Sequence, residues 1–129
     1  MCKTIKHKVK FKASPDEVYQ VLADSKLHQE CIGAKATIGK AIGERFEVFA
    51  GKITGVIVDL APGKRIVQAW RRSDFPAGIF SMAAFTLQAT KDGGTELILT
   101  HRGVPKALIP DVEAAWRRDY WQKIKNYLS

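Results

Sequence analysis

The amino-acid sequence predicts an α+β fold, a curved antiparallel sheet of about seven strands wrapped round one long C-terminal helix. Three observations predict it. The chain opens on strictly alternating apolar and lysine residues. Its middle is a series of short β-prone runs separated by turn residues. It closes on apolar residues spaced by three and four.

The opening run is a half-buried strand. Ile5, His7, Val9 and Phe11 share one face, and Lys6, Lys8, Lys10 and Lys12 share the other, because successive side chains in a strand point to opposite sides. A lysine row discourages edge-to-edge pairing with another sheet. It reads either as a row of cations for phosphates or as a solvated strand face. Ser14-Pro15-Asp16-Glu17 then starts a helix. Ser14 caps it, Pro15 fits its first turn, and Glu17 completes a capping box. Val18, Val21 and Leu22 face inward. Asp24 and Ser25 break the helix, a second short one covers 26–30, and Cys31-Ile32-Gly33 leads out of it.

Six further strands are expected at 34–38, 44–49, 52–60, 64–72, 79–90 and 95–102. Turn signals at Ala50-Gly51, Ala61-Pro62-Gly63, Phe75-Pro76-Ala77-Gly78 and Asp92-Gly93-Gly94 separate most of them. The series reads as an antiparallel meander. In the last strand Leu97, Leu99 and His101 share the inward face; in the one before it, Phe85 and Leu87 do. The register of 52–60 and 64–72 stays open, because both faces are partly apolar; Ile66 and Trp70 are provisionally turned inward. The closing helix follows Pro105 and Pro110. Asp111 and Glu113 suit its first turn, and Lys123 and Lys125 its last. Val112, Trp116, Tyr120, Ile124 and Tyr127 or Leu128 form its apolar stripe, with Trp121 beside it.

Composition bounds the function. The 129 residues are 46% hydrophobic and 26% charged, which fits a single domain over 1–129 without disorder. Cys2 and Cys31 form no C-x-x-C pair, no Cys/His cluster has metal-ligand spacing, and no metal or cofactor is implied. Two free thiols suit a reducing compartment. The N-terminus lacks the apolar stretch of a signal peptide, and no run approaches the roughly 18 apolar residues that span a bilayer; a cytoplasmic chain is expected. The net charge of +8 fits either an acidic partner or simple solubility.

The element order also implies space. An antiparallel sheet buries one face, and a 20-residue helix is about 30 Å long but only about 10 Å wide. It cannot cover a broad curved sheet, so an apolar pocket is expected beneath it. Gly55, Ser81 and Ala83 are small interior candidates.

Several segments carry a family resemblance: Phe11-Lys12-Ala13-Ser14-Pro15-Asp16-Glu17-Val18-Tyr19, the 43–49 strand, Gly51-Lys52-Ile53-Thr54-Gly55, Leu60-Ala61-Pro62-Gly63-Lys64-Arg65-Ile66-Val67 with Trp70-Arg71, Gly94-Thr95-Glu96-Leu97 to His101, Gly103-Val104-Pro105, and Trp116 with Tyr120-Trp121. Through them the chain resembles the START-like (SRPBCC), or helix-grip, superfamily. Within it the chain resembles the family named after the activator of heat-shock protein 90 ATPase, of the C-terminal-domain type. The resemblance implies a β-α-α-β6-α helix-grip fold with a cavity under the last helix. Related members bind sterols, lipids, polyketides or other apolar molecules, and some are enzymes. The eukaryotic co-chaperone carries a further N-terminal domain.

Three functions are therefore expected. The first is non-catalytic binding of a small apolar or amphipathic ligand, in a cavity lined by Phe46, Ile66, Trp70, Phe85, Leu87, Leu99, His101, Trp116, Tyr120 and Ile124. The second is a co-chaperone-like module that binds or stimulates heat-shock protein 90. The third is a small-molecule enzyme using the cavity. No catalytic residue is assigned, since no nucleophile–base–orienter set forms around His7 or His101. Both histidines read either as acid–base groups or as hydrogen-bonded core residues. Arg71, Arg72 and Asp74 read either as a receptor for a ligand's anionic end or as a solvated strand end. Glu44 and Glu47 fall on opposite faces of a strand. Gly39, Gly43 and Gly51 match no phosphate-binding loop. The aromatics sit on buried stripes, so no specific nucleic acid is expected.

Overall fold

The computed structural model describes residues 3–129. Cys2 lies outside them. Cys31 is a free, half-buried thiol, and burial pushes it up to about 11, so it stays protonated and unreactive at neutral pH.

Among these residues seven strands form one antiparallel sheet in the order β1-β7-β6-β5-β4-β3-β2. They are β1 (Ile5–Phe11), β2 (Thr37–Ile38), β3 (Arg45–Val48), β4 (Ile53–Ala61), β5 (Arg65–Arg72), β6 (Ser81–Ala89) and β7 (Thr95–Arg102). Helices α1 (Pro15–Ala23) and α2 (Ser25–Ile32) connect β1 to β2. The closing helix, α3, joins three continuous stretches, Ile109–Ala115, Trp116–Trp121 and Gln122–Tyr127. This is the helix-grip architecture. β1 alternates buried and exposed along its whole length, as its sequence requires.

The caps explain the helix boundaries. Ser14 and Glu17 make the reciprocal capping box at α1. Asp24 closes α1 through its backbone N–H, and its carboxylate caps α2 by accepting from the Leu27 N–H. The second helix therefore starts at Ser25 and runs to Ile32, longer than 26–30. Gly33 ends it at φ 83°, a left-handed conformation that favours glycine.

Three other boundaries also depart from expectation. The strand at 34–38 shrinks to Thr37–Ile38, because the Gln29 side chain takes the Ala36 N–H. Ile79 and Phe80 stay outside β6, and the Arg71 guanidinium holds their loop by donating to the carbonyls of Phe75, Pro76 and Ile79. Pro110 lies inside the first turn of α3 rather than ahead of it, a position where its missing N–H costs nothing.

The open register is also resolved. Ile53, Gly55 and Ile57 face the core from β4, and Ile66, Gln68, Trp70 and Arg72 face it from β5. A bulge between Ile57 and Asp59 shifts the pairing, so Leu60 stands opposite Ile66. One inserted residue moves the next apolar side chain by one position, which is why both faces of this segment look apolar in the sequence. Gly55 leaves no empty volume. A Cβ there would stand 2.6 Å from the Phe46 ring and closer still to the Ala69 carbonyl; the glycine admits its neighbours.

Candidate functional site

The core of the molecule is an aromatic and histidine layer between α3 and the sheet. Its geometry depends on one irregular turn. Over Trp116–Trp121 the helix is π-helical, and the Gln122 N–H bonds the carbonyl of Arg117, five residues back. In an α-helix, residues five apart point roughly 140° from each other. The wider turn brings Trp116 and Trp121 onto one side, with ring centroids 5.5 Å apart and planes 15° from parallel. Trp70 stacks on Trp116 from β5, at 5.8 Å and 30°, and Phe85 meets Trp116 edge-on.

Three residues of this turn each reach a histidine on a different element. The Trp116 indole N–H donates to His101 Nδ1 on β7 at 3.0 Å. The Trp121 indole donates to His7 Nδ1 on β1 at 2.9 Å. The Tyr120 hydroxyl lies 3.4 Å from His28 Nε2 on α2. An indole only donates, so Nδ1 of His101 and of His7 must be unprotonated. His101 then carries its proton on Nε2, facing Ser81 Oγ at 2.7 Å, and Ser81 donates on to the Trp70 carbonyl. His28 uses its Nδ1–H on the Val21 carbonyl, 3.0 Å away. His7 Nε2 faces Glu113 at 3.5 Å without a hydrogen bond.

The electrostatics match. Burial depresses all three imidazoles: His101 to about 3, His28 and His7 in the same direction. The bond to Val21 at His28, and Glu113 at His7, oppose the shift without reversing it. At neutral pH the three rings are uncharged acceptors that fasten α3 to β7, α2 and β1. His101 has both nitrogens engaged. Glu47 is exposed on the opposite side of the sheet, so the two form no acid–base pair.

Two openings lie beneath the helices, and the first borders this layer. One, of about 60 Å³, lies between α3 and the β3–β4 turn and is lined by Phe49, Trp70, Arg72, Trp116, Arg118 and Tyr120, among others. Arg72 is bound bidentately by Asp74 and also by Asp111. Its charge is already matched, so the Arg71–Arg72–Asp74 cluster braces the chain instead of presenting a free cation. The second opening, about 210 Å³, lies beneath α1 beside Leu22, Ile38, Ile57, Ile66 and Gln68.

Of the expected lining residues, Trp70, Trp116 and Tyr120 border the first opening and Ile66 the second. Phe85, Leu87, Leu99, His101 and Ile124 are packed into the core, and Phe46 lies against Gly55. The space under the helix is narrower than the sheet-and-helix argument implied, because paired aromatic rings occupy it. Two residues of the layer were not singled out from the sequence. His28 had a signal, since it lies four residues before Ile32 on one helix face. Phe49 had none. It and Ala50 adopt positive φ, 53° and 55°, a conformation rare outside glycine, and this sets the Phe49 ring edge-on to Tyr120 at 5.5 Å.

The family model of "Activator of Hsp90 ATPase homolog 1-like protein" matches residues 12–129, which hold every strand but β1 and all of α3. The chain belongs to this family. It is 36% identical over 115 residues to activator of 90 kDa heat shock protein ATPase homolog 1 of Homo sapiens, which covers 89% of the chain and 34% of that protein. The chain thus spans about a third of the length of the curated relatives it matches. Among solved structures, an HSP90 activator from Plasmodium falciparum superposes with a TM-score of 0.91 at 19% identity, over 97% of this chain and 95% of that one. The Aha1 dimer from Colwellia psychrerythraea gives 0.82 at 19% identity, over 98% and 96%. These likenesses show the fold. No helix among the described residues is long and apolar enough to cross a membrane.

Proposed function

We propose that this chain is a cytoplasmic co-chaperone module that binds a heat-shock protein 90-type ATPase and raises its rate of hydrolysis. The supporting observation is the family match over 12–129, combined with a core that keeps little room for cargo. The opening beside α3 is about 60 Å³, whereas pockets that hold small ligands run to roughly 300 Å³ or more. The chain carries no phosphate-binding loop of its own, so hydrolysis belongs to the partner. The surplus of 21 basic over 13 acidic residues favours an acidic surface on that partner. The test is the ATPase rate of a purified heat-shock protein 90 with and without equimolar chain. A severalfold rise supports the reading; an unchanged rate with no co-sedimentation removes it.

A second reading keeps the ligand. The opening beneath α1 is larger, about 210 Å³, and Ile57, Leu60 and Ile66 line it beside the amide of Gln68. It is still below the roughly 300 Å³ of ordinary ligand pockets, so the occupant would be a small amphipathic molecule with one polar end. Native mass spectrometry of gently purified protein, against a denatured control, would reveal it as a releasable adduct.

A further inference from the structure

We propose that the free edge of β1 is a docking site for an extended acidic polypeptide segment, which adds to the sheet as one more strand. β1 ends the sheet and pairs only with β7 among the described strands. The ladder fixes which of its peptide groups are free. The Thr90 N–H bonds the Gly94 carbonyl to close the β6–β7 hairpin. Pairs then alternate between bonded and non-bonded, so Gln88 and Glu96 exchange hydrogen bonds while Leu87 and Leu97 turn theirs away. The Leu87 N–H does leave the hairpin, for the Lys64 carbonyl. Leu97, Leu99 and His101 therefore turn their backbone groups to Val9, His7 and Ile5, their partners in register. By the same alternation, the N–H and C=O groups of Lys6, Lys8 and Lys10 point away from the sheet.

The residues with unpaired backbone are thus the residues with exposed cations. None of Lys6, Lys8, Lys10 and Lys12 joins a salt bridge among the described residues. Glu96, opposite Lys10, is the carboxylate that β7 places beside them. Arg117 and Lys125 of α3 form the far wall of the groove along this edge, above His7, Val9 and Trp121.

This arrangement specifies the ligand's chemistry. An added strand would lie about 4.8 Å from β1, with side chains alternating between two faces. Every second side chain would stand beside a lysine, where opposite charges pair across strands. The intervening ones would enter the groove towards Trp121. The ligand is a segment with Asp or Glu at alternate positions. A nucleic acid or an anionic lipid could meet the cations, but its phosphates would give nothing to the free carbonyls. A second copy of this edge would bring its own lysines and be repelled.

The inference is independent of the chaperone reading, and its test uses a different readout. A fluorescein-labelled octapeptide alternating glutamate and threonine is titrated with the full chain, beside a peptide of the same sequence whose backbone amides are N-methylated. The charges are equal, but a methylated amide cannot donate to the lysine carbonyls. The expected result is at least tenfold tighter binding of the unmethylated peptide, a tenfold or greater loss in the Lys8→Glu/Lys10→Glu variant, and slowed amide exchange at Lys6, Lys8 and Lys10 on binding. Thermal unfolding of the variant shows that it still folds. Equal binding of the two peptides, unchanged exchange at those amides, or tighter binding of a single-stranded oligonucleotide or of phosphatidylserine vesicles would overturn the proposal. Chaperone stimulation by the same variant is scored separately, so either idea can fail alone.

Discussion

On the inner face of β1, His7 accepts a hydrogen bond from the Trp121 indole and is held neutral. On the outer face Lys6 and Lys8, its neighbours in sequence, stand exposed with no carboxylate paired to them among the described residues. The contrast extends beyond the strand. Beneath α3 the polar atoms of the aromatic layer are buried, uncharged and, apart from His7 Nε2, matched to a partner. Along the edge the charges are solvated and the backbone is open. Unpaired polar groups are costly inside a protein and nearly free in water. The inner face therefore determines how α3 sits, and the outer face is left to meet something else.

The strongest way to break the inner arrangement is Trp116→Ala. It removes a ring stacked between Trp70 and Trp121 and strands the acceptor on His101. Truncating a buried tryptophan costs about 3–5 kcal/mol. Urea unfolding should show a loss of that size. Trp116→Phe keeps an aromatic ring and loses the N–H; leaving His101 Nδ1 unpaired costs about 1–3 kcal/mol. If the two variants cost the same, the indole hydrogen bond contributes little and the layer is held by packing alone.

Acid tests the same layer without mutation. The three histidines are neutral in the fold, and in the unfolded chain they protonate near their ordinary value of 6.5. Their folded values are lower, so the unfolded state binds protons first as pH falls. The stability they contribute is complete above pH 6.5 and is lost progressively below it, for His101 down to about 3. A tenfold change in an ionisation constant corresponds to about 1.4 kcal/mol, so the summed loss should reach a few kcal/mol. Asp74 and Asp119, held below the usual carboxylate range first by hydrogen bonds from Arg72 and Arg118, add their share only at lower pH. Urea midpoints measured between pH 7.5 and 5 isolate the histidines. A flat profile there would mean that the rings protonate without disturbing their donors.

Most of the architecture was legible because it is periodic. Strict alternation fixed β1, the Leu97, Leu99 and His101 face placed β7, and spacing by three and four fixed the stripe on α3. Ser14 and Glu17 are local capping chemistry, readable over four residues, whereas Asp24 reads only as a break and its cap on α2 emerges in the fold. What could not be read depends on local breaks in period or on partners distant in sequence. The bulge after Ile57 and the π-helical turn at Trp116–Trp121 each change a period within one element. The π turn decided the site. It turned a stripe with one tryptophan beside it into a stacked pair, next to which an opening of about 60 Å³ remains. His7 and His101 were correctly placed inward, but their donors lie 114 and 15 residues away, and no pattern in the sequence joins them.

The smallest effect belongs to the outer face. Lys8 is exposed on β1 and makes no ion pair among the described residues, so Lys8→Ser removes a solvated side chain and leaves the ladder to β7 in place. Surface changes of this kind stay within about 0.5 kcal/mol. Relief of repulsion from Lys6 and Lys10 on the same face would offset part of the lost β-propensity. Thermal unfolding of Lys8→Ser beside Trp116→Ala, at one pH and ionic strength, puts both faces on one scale. A near-neutral result makes the lysine dispensable to the fold, so that any weakening of acidic-peptide binding in the same variant is an effect at the edge itself. A loss approaching that of the tryptophan variant would mean that the lysine face supports the sheet, and the division between the two faces would fail.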